Sequence, residues 1–324
     1  MLSPLDDYPA HQIAEPMRFV GTSDRNFYDR YYFNLHHCSD ELFLTAGLGQ
    51  YPNLGVADAF VAVTRGQTQH VVRSSRELGA DRMDTTVGPI SVEVIEGLRR
   101  LRLRSATSDA EVELDVVWDG SIPAHAEPHH VNRRGARLTT DTARFSQTGR
   151  WSGSLRVGAE TFEVTGPQWW GSRDRSWGVR PVGEPEPPGR GQADGSGGFL
   201  WLYSTMQFED FSILYIVQED RLGERTMEEA VRVWPAATGR RPEPLGRPDH
   251  ELTFVPGARE VQHARLSCRT PDGTDLVVEV TPLVSSYLAL GTGYGMEADW
   301  RHGMYQGPLV VQSRDYDLGD PATR

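Results

Sequence analysis

The chain is 324 residues long, 38% hydrophobic and 24% charged, enough for two domains or one large one around a sizeable core. Its 33 basic residues stand against 45 acidic ones, a net charge of −12, which argues against a nucleic-acid partner and against docking on anionic membranes. Every basic residue is arginine, so a Schiff-base lysine, a pyridoxal-phosphate anchor, a P-loop lysine and a Ser–Lys dyad are all excluded.

The opening stretch MLSPLDDYPAHQIAEPM lacks a basic region followed by an apolar one, and no apolar run reaches bilayer length. Cys38 and Cys268 are far apart and form no CxxC pair. The expectation is a soluble cytoplasmic protein with free thiols, making no stable membrane insertion and needing no cofactor.

Taken in chain order, short alternating segments dominate. Ala57–Thr64 and Ile90–Gly97 read as strands, and LRRLRLRS leads through ATSD into AEVELDVVW as a hairpin. WSGSLRVGAETFEVTG holds two strands about a turn at Gly158. FLWLYSTMQF and FSILYIVQED flank a turn at Glu209–Asp210, and RTMEEAVRVW suits a short helix or a strand. VQHARLSCRT and TDLVVEVTPL pair across an Asp-Gly turn, and Met304–Ser313 is a last strand. Hairpins in sequence predict antiparallel sheet, hence an all-β chain of barrels or sandwiches. The Pro- and Gly-rich stretch Gly178–Phe199 is the best linker, and Pro235–Glu251 is a long surface loop.

Familiar motifs are missing. There is no GxSxG elbow, and GLGQYPNLG and GTGYG open no helix of a dinucleotide fold. His36 and His37 point to opposite faces if extended. The loop residues His125, Glu127 and His129 could reach one ion, yet no ligand spacing supports it, and no metal is expected.

GPQWWGSRDRSWGVRP, Gly166–Pro181, crowds three tryptophans, charges and glycines together. On an extended segment Arg173 and Arg175 share one side while Ser172, Asp174 and Ser176 take the other. One reading is a buried Arg–Asp network pinning an interface. The other is a polar cluster in an aromatic pocket, with Asp174 as acid or base and Trp170 and Trp177 as walls.

The segment GSRDRSWG resembles the Gly-x-Arg-Asp-x-Ser-Trp-Gly signature of a bacterial family related to the lipocalin-like superfamily of carotenoid 1,2-hydratase (hydroxyneurosporene synthase) and AttH-type proteins. YYFN, GLGQYPNLGVADAFVAV, VEVIEGLRRLRLR and GYGMEADWRHGMYQGPL extend the resemblance over most of the chain. It implies two lipocalin-like antiparallel β-barrel domains packed together, expected at residues 1–168 and 169–324, with the Trp-Gly motif near their junction. It also implies an acidic catalytic residue at Asp174, although the flanking Arg173 and Arg175 are expected to lower its pKa.

The candidate catalytic residues are therefore Asp174 and His302. Arg173, Trp170, Trp177, Trp300, Tyr51, Asn34 and Tyr294 are the candidate substrate contacts. His302 also suits a buried core position, and Tyr51 with Asn53 a turn. The expected function is cofactor-independent hydration, dehydration, isomerisation or cyclisation of a terpenoid, steroid or polyketide-like substrate. The alternative is a non-catalytic carrier of a lipophilic molecule. The expected partner is a hydrophobic small molecule, with a homodimer left open.

Overall fold

The computed structural model describes residues 2–106, 111–186, 199–295 and 297–323. The described chain is all-β and every strand pairing is antiparallel. The first four strands, β1 (Phe27–His36), β2 (Phe43–Tyr51), β3 (Val56–Arg65) and β4 (Thr68–Glu77), run as a meander. Then follow β5 (Thr86–Val87), β6 (Ile90–Glu96), β7 (Arg100–Ser105), β8 (Val112–Gly120), β9 (His125–Ala126) and β10 (His130–Arg134). The long β11 (Arg137–Val157), β12 (Glu160–Val164) and β13 (Trp170–Val179) complete this part of the chain.

β13 lies between β1 and β11, joining the meander to the rest of one strongly curled sheet. The curl brings β5 back to β4, where Ser74 Oγ donates to the Val87 carbonyl at 2.7 Å and Arg76 Nε to the Thr86 carbonyl at 2.6 Å. Period-two alternation puts Phe33, Leu44, Val61, Leu103, Leu114 and Trp151 in one core inside the curl. Trp118 and Trp151 meet edge-on there at 5.1 Å, a pairing that adds about 1 kcal/mol beyond burial of the rings.

Four further strands form a second sheet: β14 (Leu200–Gln207), β15 (Ser212–Glu219), β16 (Arg225–Val233) and β17 (Glu243–Pro244). A third sheet, β18 (Asp249–Phe254), β19 (Val261–Arg269) and β20 (Asp275–Val280), packs on it through Ile213, Tyr215, Val217, Leu245, Ala264 and Leu266. RTMEEAVRVW is thus a strand. The last strand, β21 (Leu309–Asp317), returns to the large sheet beside β4.

The boundary expected at residues 168 and 169 falls just before β13, and β13 and β21 both belong to the large sheet. Of the linker expected at Gly178–Phe199, residues 187–198 lie outside the described residues, as do 107–109 of the ATSD turn and residue 110 after it. The loop expected at Pro235–Glu251 contains a 3-10 turn, β17 and the start of β18. No helix among the described residues is long and apolar enough to cross a membrane.

The second sheet docks on the outer face of the large one. Thr148 and Ser212 share a buried hydroxyl–hydroxyl bond at 2.6 Å, and Ile122 packs with Leu214, Val231 and Val233. The segment between β20 and β21 covers the outer face of β1–β4, tied down by Gln69 Nε2 to the Tyr287 carbonyl at 2.9 Å and by Gly303 N–H to Asp58 at 2.7 Å. These two coverings enclose a polar strip along β1 and β13.

Candidate active site on the outer face of β13

The strip follows from register. Tyr32 on β1 stands opposite Asp174 on β13, and Arg30 opposite Ser176; across the other edge, Ser146 and Arg144 of β11 stand opposite the same two residues. Directly paired residues share a face, so Arg30, Tyr32, Arg144 and Asp174 project together.

Asp174 is the chemical centre. Its carboxyl is half-buried and makes no hydrogen bond or ion pair among the described residues. It is pushed up to about 6, first by burial; Arg144 opposes this, Glu127 adds to it, and Arg180 and Arg30 oppose it. The sequence had predicted depression by Arg173 and Arg175, and the structure reverses that. Both arginines project to the opposite face, as strand alternation requires. Arg173 is buried inside the curl, donating Nε–H to Gln147 at 2.8 Å over the Phe145 ring at 5.1 Å. Arg175 stacks on Tyr31 at 3.9 Å and pairs with Asp29.

Groups of the large sheet and of the docked second sheet surround Asp174. Glu127 is buried, pairs with Arg144 and accepts the Tyr203 hydroxyl of β14 at 2.9 Å. Arg144 lies against the Trp201 and Tyr203 rings at 4.9 and 5.1 Å, which stack on each other at 5.9 Å. Burial drives the Tyr203 hydroxyl well above its ordinary pKa, aided by Glu127 and Asp174, and burial raises Tyr32 likewise. Both phenols are proton donors rather than phenolates at neutral pH.

Along the same face, Ser172 opens into a cleft of about 370 Å³ lined by Asn34, Phe43, Trp170, Tyr203 and Gln207. Asn34 is locked there, donating to Ser172 Oγ at 2.7 Å and accepting from the Ser172 N–H at 2.7 Å. Another depression, about 400 Å³, lies at the far rim where Arg65 pairs with Glu160 at 2.7 Å, away from this cluster.

The remaining candidates divide. Tyr51 is fully buried: its hydroxyl accepts from Arg30 Nη1 at 2.7 Å and donates to Asp58 at 3.1 Å, while Arg30 Nη1 also reaches Asp58 at 2.7 Å. Arg30 lies flat because Gly47 and Gly49 leave room. A Cβ there would stand 2.8 Å from Nη2 and 2.7 Å from Nη1, which explains the glycines of GLGQ. His302 is buried with Nε2 3.0 Å from the Thr292 carbonyl, so Nε2 carries the proton. Burial, then Arg30 and Arg180, hold it well below its usual pKa, so it is neutral. Tyr294 meets it edge-on at 4.3 Å. Trp300 stacks instead under Arg73 at 4.2 Å, and Trp177 is 41% exposed on the Arg173 side. The structure thus brings Asp174, Asn34, Trp170, Tyr51, Tyr294 and His302 to one face, without Arg173, Trp177 and Trp300.

Gly171 and Gly178 do not serve turns. They lie within β13, where a Cβ would stand 2.0 Å from the Asn34 carbonyl oxygen and 2.1 Å from that of Asp141. The loop set also parts: His125 reaches Glu229 at 3.2 Å and His129 reaches Asp141 at 2.6 Å, while Glu127 turns to Arg144. Among the described residues no three His, Cys, Asp or Glu side chains converge on one point. Sequence reasoning missed Arg30, Tyr32, Arg144, Arg180 and Tyr203 as members of the site. Spacing alone could have linked Arg30 and Tyr32 to Asn34, two residues apart on one strand.

Among solved structures, the chain is similar to an AttH-like protein from Nitrosomonas europaea, at 15% identity and a TM-score of 0.50, covering 82% of this chain and 83% of that one. It is also similar to kievitone hydratase from Nectria haematococca, at 14% identity, a TM-score of 0.44 and coverage of 81% and 93%. A third similarity is to CghA with Sch210972, at 9% identity, a TM-score of 0.46 and coverage of 79% and 76%. The first supports the lipocalin-like fold expected from the Trp-Gly signature. No curated protein sequence matches the chain. A family model matches residues 2–321, and the chain accordingly belongs to that family, the family of unknown function DUF8625.

Proposed function

We propose that the chain is a cofactor-independent enzyme that moves a proton on a hydrophobic substrate held against the Asp174 face. The reaction is a hydration, dehydration, isomerisation or cyclisation of a terpenoid, steroid or polyketide-like molecule. The observation that carries this reading is the Asp174 carboxyl: unpaired, half-buried, and poised near 6 beside an aromatic-walled cleft. A structural carboxylate would be saturated by arginine or backbone N–H groups, whereas a general acid or base is left to titrate near the working pH. Tyr32, Tyr203 and Arg144 supply fixed dipoles and charge around it, which favour charge developing on a bound substrate. Phe43 and Trp170 offer flat apolar walls that orient a lipophilic chain.

The test is mass spectrometry of lipophilic molecules that co-purify with the full chain, followed by incubation with the wild type and with Asp174→Asn. The wild type should convert a bound molecule, with a pH–rate limb near 6. Asp174→Asn should retain the ligand and lose roughly a hundredfold or more in turnover. A bound molecule that both proteins return unchanged makes this a carrier; full turnover by a folded Asp174→Asn protein removes Asp174 from the chemistry.

A further inference from the structure

We propose that the molecule bound on the Asp174 face carries a carboxylate, which docks on the unpaired guanidinium edges of Arg30 and Arg180. The inference rests on the reading of this face as the substrate site and names the substrate class.

Arg30 is 2% exposed, and its Nη1 is spent on Tyr51 and Asp58, each at 2.7 Å. Its Nε and Nη2 are buried with no hydrogen-bond partner among the described residues. Arg180 makes no ion pair among the described residues; it spreads over the Tyr28 ring at 4.4 Å, with Nη2 3.4 Å from His302 Nδ1 and Nε buried and unpartnered. Buried guanidinium N–H groups are rarely left without an acceptor, because desolvating them is costly.

The charges on this face are uneven. Asp58 offsets Arg30 and Glu127 offsets Arg144, while Arg180 has no bonded carboxylate. Asp174 is the remaining acid in reach, and its carboxyl is bonded to neither arginine. His302 is no substitute, because its Nε2 proton goes to the Thr292 carbonyl and Nδ1 offers Arg180 a weak, long contact. Below about pH 6, where Asp174 holds its proton, one positive charge is left in excess on this face, matched by one anionic group.

The unpartnered Arg30 and Arg180 nitrogens have no open surface, so a ligand reaches them by displacing the ring that covers them. Tyr294 covers both guanidinium groups, 5.6 Å from Arg30 and 5.8 Å from Arg180. It is 38% exposed and sits between Gly293 and Gly295, both with positive φ. Two planar forks beneath one exposed aromatic ring select a flat two-oxygen group over a hydroxyl, since guanidinium pairs carboxylates bidentately. Arg30 is the diagonal neighbour of Asp174 across the β1–β13 ladder, so a carboxylate held here puts the adjoining carbons near the Asp174 proton.

The probes are trans-cinnamate and cinnamyl alcohol, titrated calorimetrically into the full chain at pH 5.5, with Arg180→Met and Asp174→Asn as variants. The wild type should bind cinnamate at least tenfold more tightly than the alcohol. Arg180→Met, whose side chain still covers Tyr28, should weaken cinnamate roughly tenfold to a hundredfold, the size of a lost charged hydrogen bond, and leave the alcohol unchanged. Asp174→Asn should bind cinnamate as tightly or more so. Equal binding of acid and alcohol, or unweakened cinnamate binding by Arg180→Met, overturns the proposal. If Arg180→Met does not fold, Arg180→Lys keeps the charge but not the fork and should still weaken cinnamate severalfold; no weakening counts against the proposal. The two readings separate cleanly: turnover lost in Asp174→Asn without acid preference sinks only the carboxylate site, and acid preference with turnover intact in Asp174→Asn sinks only the proton-transfer role.

Discussion

Replacing Asp174 by Asn should make the protein more stable, and the gain should depend on pH. The folded carboxyl titrates near 6 against a reference of 3.8, so the native state holds its proton more tightly than the unfolded chain. Below the unfolded value both states are protonated and nothing is lost. Between the two values the unfolded state alone ionises, so stability falls as pH rises and levels off above the folded value. That difference amounts to about 3 kcal/mol at pH 7.5, and to about 1 kcal/mol at pH 4.5, where ionisation of the unfolded chain has only begun. Asparagine keeps the shape without the charge. Asp174→Asn should therefore melt about 4 °C above the wild type at pH 7.5 and only 1 to 2 °C above it at pH 4.5. Scanning calorimetry of both proteins across this range measures it. A variant that melts below the wild type at pH 7.5, or a gap that does not widen with pH, would show that the carboxylate is stabilised by partners and that the burial argument fails. A stabilised but inactive variant is the pattern expected where a strained acid is retained for chemistry.

Three further outcomes follow from the same geometry. Gly171→Ala should lose about 3 kcal/mol or more in urea denaturation, because its Cβ would meet the Asn34 carbonyl at 2.0 Å; an unchanged midpoint would mean that β1 and β13 separate easily. Asp58→Asn should cost about 3 to 5 kcal/mol in thermal melts by stranding the buried Arg30 guanidinium, and a loss below 1 kcal/mol would show that Arg30 finds another acceptor. His302, held well below the reference value of 6.5, contributes stability that is present above that value and is lost as pH falls below it; His302→Gln should flatten this acid limb, and an unaltered limb assigns it elsewhere.

The sequence by itself determined the class of fold and the faces of single strands. Alternation and hairpin turns are local, so an antiparallel all-β chain was legible from them. So was the division of GSRDRSWG into an arginine side and an Asp174 side, because successive residues on a strand must point apart. Local reading also placed Asn34, Trp170 and Asp174 among the candidates. What stands beside Asp174 was not legible, because it depends on register between strands far apart in the chain. Tyr32 arrives from β1, Arg144 from β11 and Tyr203 from β14, and no spacing in the sequence links them. The same is true of the protonation of Asp174. Its sequence neighbours are two cations, which by themselves would lower its pKa. Only the folded sheet turns those cations to the other face and buries the carboxyl, because the electrostatics of a site follow distance and dielectric in space rather than order along the chain.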